Sequence, residues 1–408
     1  MSSLLQRPAR AGIAFVLVTA FLDVMAMGVV MPVLPALIEE FAGSNARAGI
    51  WNGFLVALWA AMQFLCSPLI GALSDRFGRR PVLLVSAAGL ALDWVLMALA
   101  PNLWWLAVGR MIGGITSSSF TAVFAYMADI TAPEGRAKAF GLVGAAFSAG
   151  FVAGPAFGGI VGEWGPRAPF WVAAALSGLA FLYGLLVLPE SLPRERRMAF
   201  AWKRANPLGS LRLLRSHREL AGLAIVNFLL YFAHHVFSAV YVLYAAHRYG
   251  LGSLEIGLLL AFAGLLEMLV QMLVVGRVAA RLGDRRTMVL GFAFGASGLY
   301  AMALAPDAWS FAAALVPNAL WALAMPTMMS LMSVRVSERE QGQLQGANNS
   351  VGSIAGALSP LFFGWVYGVT AATNAGLSFI VAGTILTAAA ITGYLATRSS
   401  SETAHSPA

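Results

Sequence analysis

The chain has 408 residues, 59% of them hydrophobic and only 11% charged, with a mean hydropathy of +0.77. A soluble domain carries about 25% charged residues, so this composition excludes an ordinary soluble core. The net charge of +8 alone would suit nucleic acid, but the placement of the basic residues removes that reading. The single Cys66 makes no intramolecular disulfide and no metal site, and is read as a small packing residue.

Taken in chain order, the start "MSSLLQRPAR" followed by an apolar run looks like a signal peptide. The run continues through "MAMGVVMPVLPALI" without a cleavage site, so it is read as a first span. Twelve such runs of membrane-crossing length follow one another, at 12–37, 48–70, 81–100, 103–127, 138–161, 168–188, 220–245, 254–275, 287–305, 309–332, 345–368 and 374–396. Between the sixth and seventh lies the longest polar segment, "PESLPRERRMAFAWKRANPLGSLRLLRSHREL", with eight Lys and Arg. The expected fold is an all-α integral membrane protein of twelve transmembrane helices in two pseudo-symmetric six-helix halves. The expected division is a bundle over 1–188, a cytoplasmic central loop over 189–219, a second bundle over 220–396 and a cytoplasmic tail over 397–408.

Lys and Arg concentrate in cytoplasmic loops. With the N-terminus inside, 22 of the 26 Lys and Arg fall on the inner side, while Arg47, Arg167 and Arg248 fall outside and Arg110 lies within a span. The bias supports the span count and places both termini in the cytoplasm. The basic residues therefore anchor topology and face anionic lipid rather than nucleic acid.

The halves repeat. A shift of 205 residues puts Gly71, Arg76, Gly78 and Arg80 on Gly276, Arg281, Gly283 and Arg285, and Gly141, Pro155 and Gly159 on Gly346, Pro360 and Gly364. Two six-helix halves related by such a repeat place a binding site near the bilayer midplane.

Several stretches resemble a known family. "GALSDRFGRRP" resembles the loop motif of the major facilitator superfamily, with Gly71, Asp75, Arg76, Gly78, Arg79 and Arg80. "LAVGRMIGG" resembles its helix-4 motif, with Arg110 the arginine. "GFVAGPAFGG" (Gly150, Gly154, Pro155, Gly158, Gly159) is similar to the helix-5 motif of drug:proton antiporters. "FLDVMAMGVVMPVLP", "SDRFGRRPVLLVS", "GRMIGGITSSSF", "FGLVGAAFSAGFVAGPAFGG", "QGQLQGANNS" and "GRVAARLGDRR" resemble the tetracycline-efflux (TetA-type) group over almost the whole chain. The resemblance implies an antiporter of the bacterial inner membrane that exports an amphipathic drug by alternating access, tetracycline first among candidates. It implies no enzyme activity and no cofactor beyond the proton gradient. If the drug is a tetracycline, it can travel as a metal chelate. The expected partners are a small-molecule drug, protons and the lipid bilayer, and a monomer is the favoured state. A loop that latches the halves in that superfamily gives Asp75 a gating role here, set against a helix N-terminus, with Asp129 a partner for Arg79 or Arg80. The residue matching Asp75 in the second half is Ala280, so the latch is expected on one side only.

Four ionisable residues fall inside spans: Asp23, Asp93, Arg110 and Glu267. Each costs about 2.5–3.5 kcal/mol at a helix centre on insertion scales, so function is the default reading. The bland alternative is a buried pair kept for packing, and Asp23 with Arg110 suits it best. Asp93 and Asp23 are read as the proton-linked acids. Glu267 departs from the resembled group, which carries a histidine there, four residues before a glutamine. Here Glu267 and Gln271 share a helix face. An ionised carboxylate accepts a proton or binds a cation but cannot donate as imidazole does. This favours a cationic or multidrug substrate as the alternative to tetracycline.

The other substrate-facing candidates are Gln63, Asn227, His234, Asn318, Trp321 and Asn348, each equally readable as an interhelical hydrogen bond. Adjacent His234 and His235 diverge around a helix and form no metal site. A metabolite symporter or facilitator is the rival within transport. A membrane enzyme is the rival outside it, and no G-x-S-x-G elbow or nucleotide-binding G-x-x-x-x-G-K-[ST] occurs in the chain.

Overall fold

The computed structural model describes residues 2–117, 120–132, 135–198, 214, 218–337 and 340–397. Most of the central loop expected over 189–219, and the tail from 398, lie outside the described residues. Among the described residues, twelve helices are long and apolar enough to cross a membrane: α1 Gly12–Ala42, α2 Asn45–Phe77, α3 Arg79–Ala98, α4 Leu103–Ile130, α5 Lys138–Gly162, α6 Ala168–Val187, α7 Leu220–Tyr249, α8 Ser253–Leu273, α9 Val275–Leu304, α10 Ala308–Ser333, α11 Gln343–Asn374 and α12 Leu377–Ala396. No strand occurs among the described residues. A chain in lipid must satisfy its backbone internally, and a helix does so within one segment. The outward side chains fit that solvent: Val85, Leu186, Met272 and Leu304 are largely exposed, and Trp104, Trp164 and Trp309 stand exposed at span ends, where an aromatic belt forms.

The helices are less continuous than the apolar runs suggest. In α1 the helix stops at Val30 and restarts at Leu34 with Pro35 in its first turn. Gly78, at φ +107°, separates α2 from α3, and its repeat counterpart Gly283, at φ +75°, breaks α9 at the matching place. Both conformations belong to the left-handed half of the map, open to glycine at little cost. α7 widens into a π-turn at Phe237–Tyr241, and α10 tightens into a 3-10 turn at Leu320–Leu323. At the other end of α10's first turn, Asp307 accepts from the Ser310 backbone N–H at 2.8 Å while Ser310 Oγ reaches the Asp307 N–H. These bonds hold the Asp307 carboxyl below its ordinary range.

The chain forms two compact units. One comprises Met1–Gly43, Leu58–Asn206 and Leu251–Ala261; the other comprises Ser44–Ala57, Pro207–Gly250 and Phe262–Ala408. The first end of α2 thus belongs with the second unit, and the first end of α8 with the first unit. Inside each unit the same pairings recur: α1 with α5 and α6, and α3 with α4 and α6, match α7 with α11 and α12, and α9 with α10 and α12. Arg80 Nη2 donates to the Leu185 carbonyl at 3.0 Å, and its counterpart Arg285 Nη2 donates to the Tyr394 carbonyl at 3.0 Å. Each arginine ties the third helix of its half to the end of the sixth, which gives these basic residues a packing role beyond topology. Arg167, one of the three cations outside the basic loops, donates to the Ala98 carbonyl at 2.8 Å. A cation there meets the negative end of the α3 dipole.

Glycines set the closest approaches. A Cβ on Gly28 would sit 2.8 Å from Pro155 Cδ, and one on Gly154 would sit 2.7 Å from Gly28 Cα, so α1 and α5 touch backbone to backbone. Gly150 and Gly158 meet α1 in the same way. The remaining glycine of that run, Gly159, faces Ser253, Leu254 and Gly257 of α8, and a Cβ on Gly257 would strike the Pro155 carbonyl. In the second unit a Cβ on Gly53 would strike the Pro360 carbonyl and crowd Gly364. The antiporter-like run and its repeat counterpart therefore carry the same contact, a proline carbonyl and a glycine four residues on, each receiving a bare glycine from a crossing helix.

Candidate functional site

In the first unit, Asp93 points from α3 at the glycine face of α4. Cβ atoms on Gly109 and Gly113 would lie 2.9 and 2.6 Å from its carboxylate oxygens. Asp93 is 0% exposed and neither oxygen meets a hydrogen-bond donor. Burial without a donor is costly for any polar group and most costly for a charge. The cation acting on it is Arg110. That arginine lies along α3, its Nη2 2.9 Å from Met97 Sδ and its guanidinium 5.3 Å from the Trp94 ring centroid. The expected Asp23–Arg110 pair is not formed among the described residues. α4 packs on α3, and the guanidinium is spent on the Trp94–Met97 face of that helix instead. Asp23 is half-buried on α1, with Oδ1 buried and without a partner. Gln63 is half-buried on α2.

In the second unit the polar candidates divide. Asn227 and Asn348 are buried, and Asn227 Nδ2 donates to Asn348 Oδ1 at 3.2 Å. They clasp α7 to α11. Asn318 Nδ2 reaches the Gly295 carbonyl at 3.4 Å, and Trp321 packs its ring on Gly295, so both tie α10 to α9. His234, Glu267 and Gln271 are exposed. Gln271 Nε2 donates to Glu267 Oε1 at 3.4 Å, one turn apart. Glu267 is the acid acting on His234, whose ring centroid is 5.4 Å from that of Trp321. An exposed carboxylate at mid-span is stable only where it faces water rather than lipid, so this face of α8 borders an aqueous space. Imidazole, carboxylate and amide thus stand exposed in the second unit, while the Trp321 indole backs His234 from a buried position.

The charged loop after α2 is built around Arg79. Its Nη1 binds Asp75 Oδ1 at 2.6 Å and Ser74 Oγ at 3.1 Å, and its Nε binds Asp129 Oδ2 at 3.1 Å. Asp129 thus takes Arg79, while Arg80 serves the α6 carbonyl. Asp75 faces this arginine and not a helix N-terminus. The acid at that terminus is Glu190, whose Oε1 accepts from the Arg79 backbone N–H at 2.9 Å and the Leu192 N–H at 3.0 Å. Glu190 Oε2 also lies 3.7 Å from Arg197 Nη2, and the Met198 N–H reaches the Asp75 carbonyl at 3.1 Å. Arg76 stands exposed, its guanidinium 5.1 Å from the Phe77 ring centroid, and Gly71 has open space where a Cβ would be.

The family profile described as Major Facilitator Superfamily matches residues 16–360. The chain belongs to the Major Facilitator Superfamily. It is 39% identical to the tetracycline resistance protein, class C, of Escherichia coli over 366 residues, covering 90% of this chain and 92% of that protein. It is 37% identical to the class G protein of Vibrio anguillarum, covering 91% and 94%. In fold it matches the crystal structure of a point mutant of the nucleoside transporter NupG with a TM-score of 0.80 at 12% identity, covering 95% of this chain and all of that one. Twelve spans and this membership make it a multi-pass membrane protein.

For a Major Facilitator Superfamily chain, the asymmetry of the charged loop is informative. The residues matching Asp75, Arg79 and Asp129 are Ala280, Asp284 and Val334, so the second half lacks the carboxylate–guanidinium cluster while keeping the Arg285 anchor. Among the described residues no group of three His, Cys, Asp or Glu side chains could hold a metal. Sequence reasoning missed Glu190, because "PES" was read with the basic loop. An acid behind a proline at the end of an apolar run, opposite a helix start, was the available signal. Replacing Glu190 with Ala removes the α3 cap, worth about 1 kcal/mol, and frees the 190–198 strap. Trypsin is expected to cut at Arg194–Arg197 several times faster than in the parent, while Glu190→Gln, which keeps an acceptor, stays near the parent rate. Equal rates for all three would remove the strap.

Proposed function

We propose that the chain exports an amphipathic drug across the bacterial inner membrane in exchange for protons, by alternating access, with both termini cytoplasmic. The observation that carries this reading is the near full-length likeness to tetracycline resistance proteins, which makes tetracycline the first candidate substrate. Asp93 and Asp23 serve as the proton-linked acids, with Arg110 setting the charge around Asp93. The proton gradient supplies the energy, so no cofactor is needed, and a metal ion chelated by the drug travels as cargo. A monomer suffices, because each chain carries both repeats.

A second reading, export of cationic compounds, rests on Glu267. Its exposed carboxylate, accepting from Gln271, would pair with an ammonium group. Glu267→Gln keeps the shape and removes the charge. Export of cationic compounds is expected to fall about tenfold, the effect of one pair worth about 1.4 kcal/mol, with neutral compounds unchanged. Equal loss for neutral drugs would assign Glu267 to proton coupling instead.

The function itself is tested by a susceptibility panel, tetracyclines included, in an efflux-deficient host with and without a protonophore. Resistance that disappears with the protonophore supports export. A host no more resistant to any drug, or resistance untouched by the protonophore, contradicts it.

A further inference from the structure

The stretch "GIWNGFLVAL" in the first half of α2 holds one amide among apolar residues and glycines. That amide, Asn52, is 2% exposed and its Nδ2 donates to two carbonyls of α7, Ser238 at 3.1 Å and Ala239 at 2.7 Å. Both carbonyls belong to the π-turn Phe237–Tyr241. A π-turn adds one residue to the helical ladder and leaves carbonyls without their usual donors. In a membrane those carbonyls need another donor, and a carboxamide NH2 offers two N–H groups. Around it the same end of α2 seats its bare face on α11. Gly53 meets Pro360 and Gly364, Gly49 meets Tyr367, and Tyr367 Oη donates to Asn45 Oδ1 at 2.7 Å. The π-turn begins three residues after His234, whose ring is 5.9 Å from that of Phe237.

We propose that Asn52 is a positioning residue that locks the periplasmic end of α2 to α7 and holds the π-turn in place. The inference rests on the exporter topology proposed above. Opening toward the periplasm requires this end of α2 to leave α11, and Asn52 must then withdraw both hydrogen bonds. Without them α7 regains the ordinary ladder by shifting one residue, a rotation of about 100° between its two parts. Release at one end of α2 is thereby converted into a reorientation of the α7 face that carries His234. The second half of the repeat has no such amide: Asn52 matches Gly257, and the first unit's equivalent end is held by Ser253 Oγ donating to Glu163 Oε1 at 3.0 Å.

The test uses the full-length chain with Cys66→Ser and a reporter at Ser359→Cys, a position 0% exposed on α11 beside Pro360. Labelling by a membrane-impermeant maleimide is compared in right-side-out and everted vesicles. Asn52→Ala is expected to raise labelling from the periplasmic face about tenfold, the effect of losing roughly 1.4 kcal/mol of closing bonds, and to slow net export comparably. Asn52→Gln, which keeps the two donors one methylene further out, is expected to recover part of both. If Asn52→Ala does not accumulate, Asn52→Ser, with a single short donor, carries the same comparison. Unchanged labelling, or slower export with unchanged labelling, overturns the latch. A rise seen only from the cytoplasmic face overturns the topology while leaving the bond between α2 and α7 a gate.

Discussion

Asp93→Asn is expected to reduce proton-driven export to the level of a host lacking the protein, with the chain still present in the membrane at parent abundance. Asparagine has nearly the shape of aspartate, so the seat against Gly109 and Gly113 is retained. What is lost is the ability to change charge. Asp93 has no donor on either oxygen and one cation, Arg110, acting on it. A proton arriving or leaving there changes the electrostatics of the interior more than at any solvated carboxyl, because low-dielectric surroundings screen little. Energy-independent exchange of drug for drug is expected to survive, since it needs the two conformations but no net proton. Counterflow of labelled drug in vesicles, beside gradient-driven uptake, makes the separation. Loss of both would mean that Asp93 holds the fold or the drug, and retention of both would remove it from coupling.

Arg79→Lys is expected to slow export about fivefold with little change in the drug concentration that half-saturates it. The guanidinium uses separate nitrogens for Asp75, Ser74 and Asp129, and an ammonium cannot span them from one point. Charge-assisted bonds contribute about 1.5–3 kcal/mol each when buried. The side chains of Asp75 and Asp129 are 32% and 25% exposed, so about 1 kcal/mol net is the fitting scale after screening. Because the cluster joins the α2–α3 junction to the end of α4 and does not include Asp93, the rate of cycling and not drug affinity carries the loss. Changes at Asp284, the matching residue of the second half, are expected to leave the rate unchanged. A change in half-saturation with an unaltered maximum rate would place the cluster at the drug site.

The twelve spans were legible because apolar runs of membrane length leave helices as the one way to satisfy the backbone. The repeat was legible because Gly78 and Gly283 must both adopt a left-handed backbone, and Pro155 and Pro360 both sit inside a glycine-rich packed helix. The partner of Arg110 was not legible. Sequence placed Asp23 and Arg110 in spans, but which face of α4 meets α3 follows from the packing of Gly109 and Gly113. Asn227 and Asn348 show the same limit: two amides on separate helices look like ligand contacts until their bond to each other is seen. The π-turn in α7 was invisible for a deeper reason. It depends on donors supplied by Asn52, 186 residues away in the chain, and no local pattern in "HHVFSAVY" encodes that.

The most direct measurement is simultaneous drug and proton flux in proteoliposomes with a pH gradient, interior acid. Drug is expected to accumulate inside against its own gradient while protons leave; both movements are expected to vanish with Asp93→Asn, and a protonophore, which lets the protons out by itself, is expected to abolish the drug accumulation. Drug entry at an unchanged rate after the gradient is collapsed, or protons moving in the same direction as the drug, would contradict antiport and return the chain to the class of facilitators or symporters.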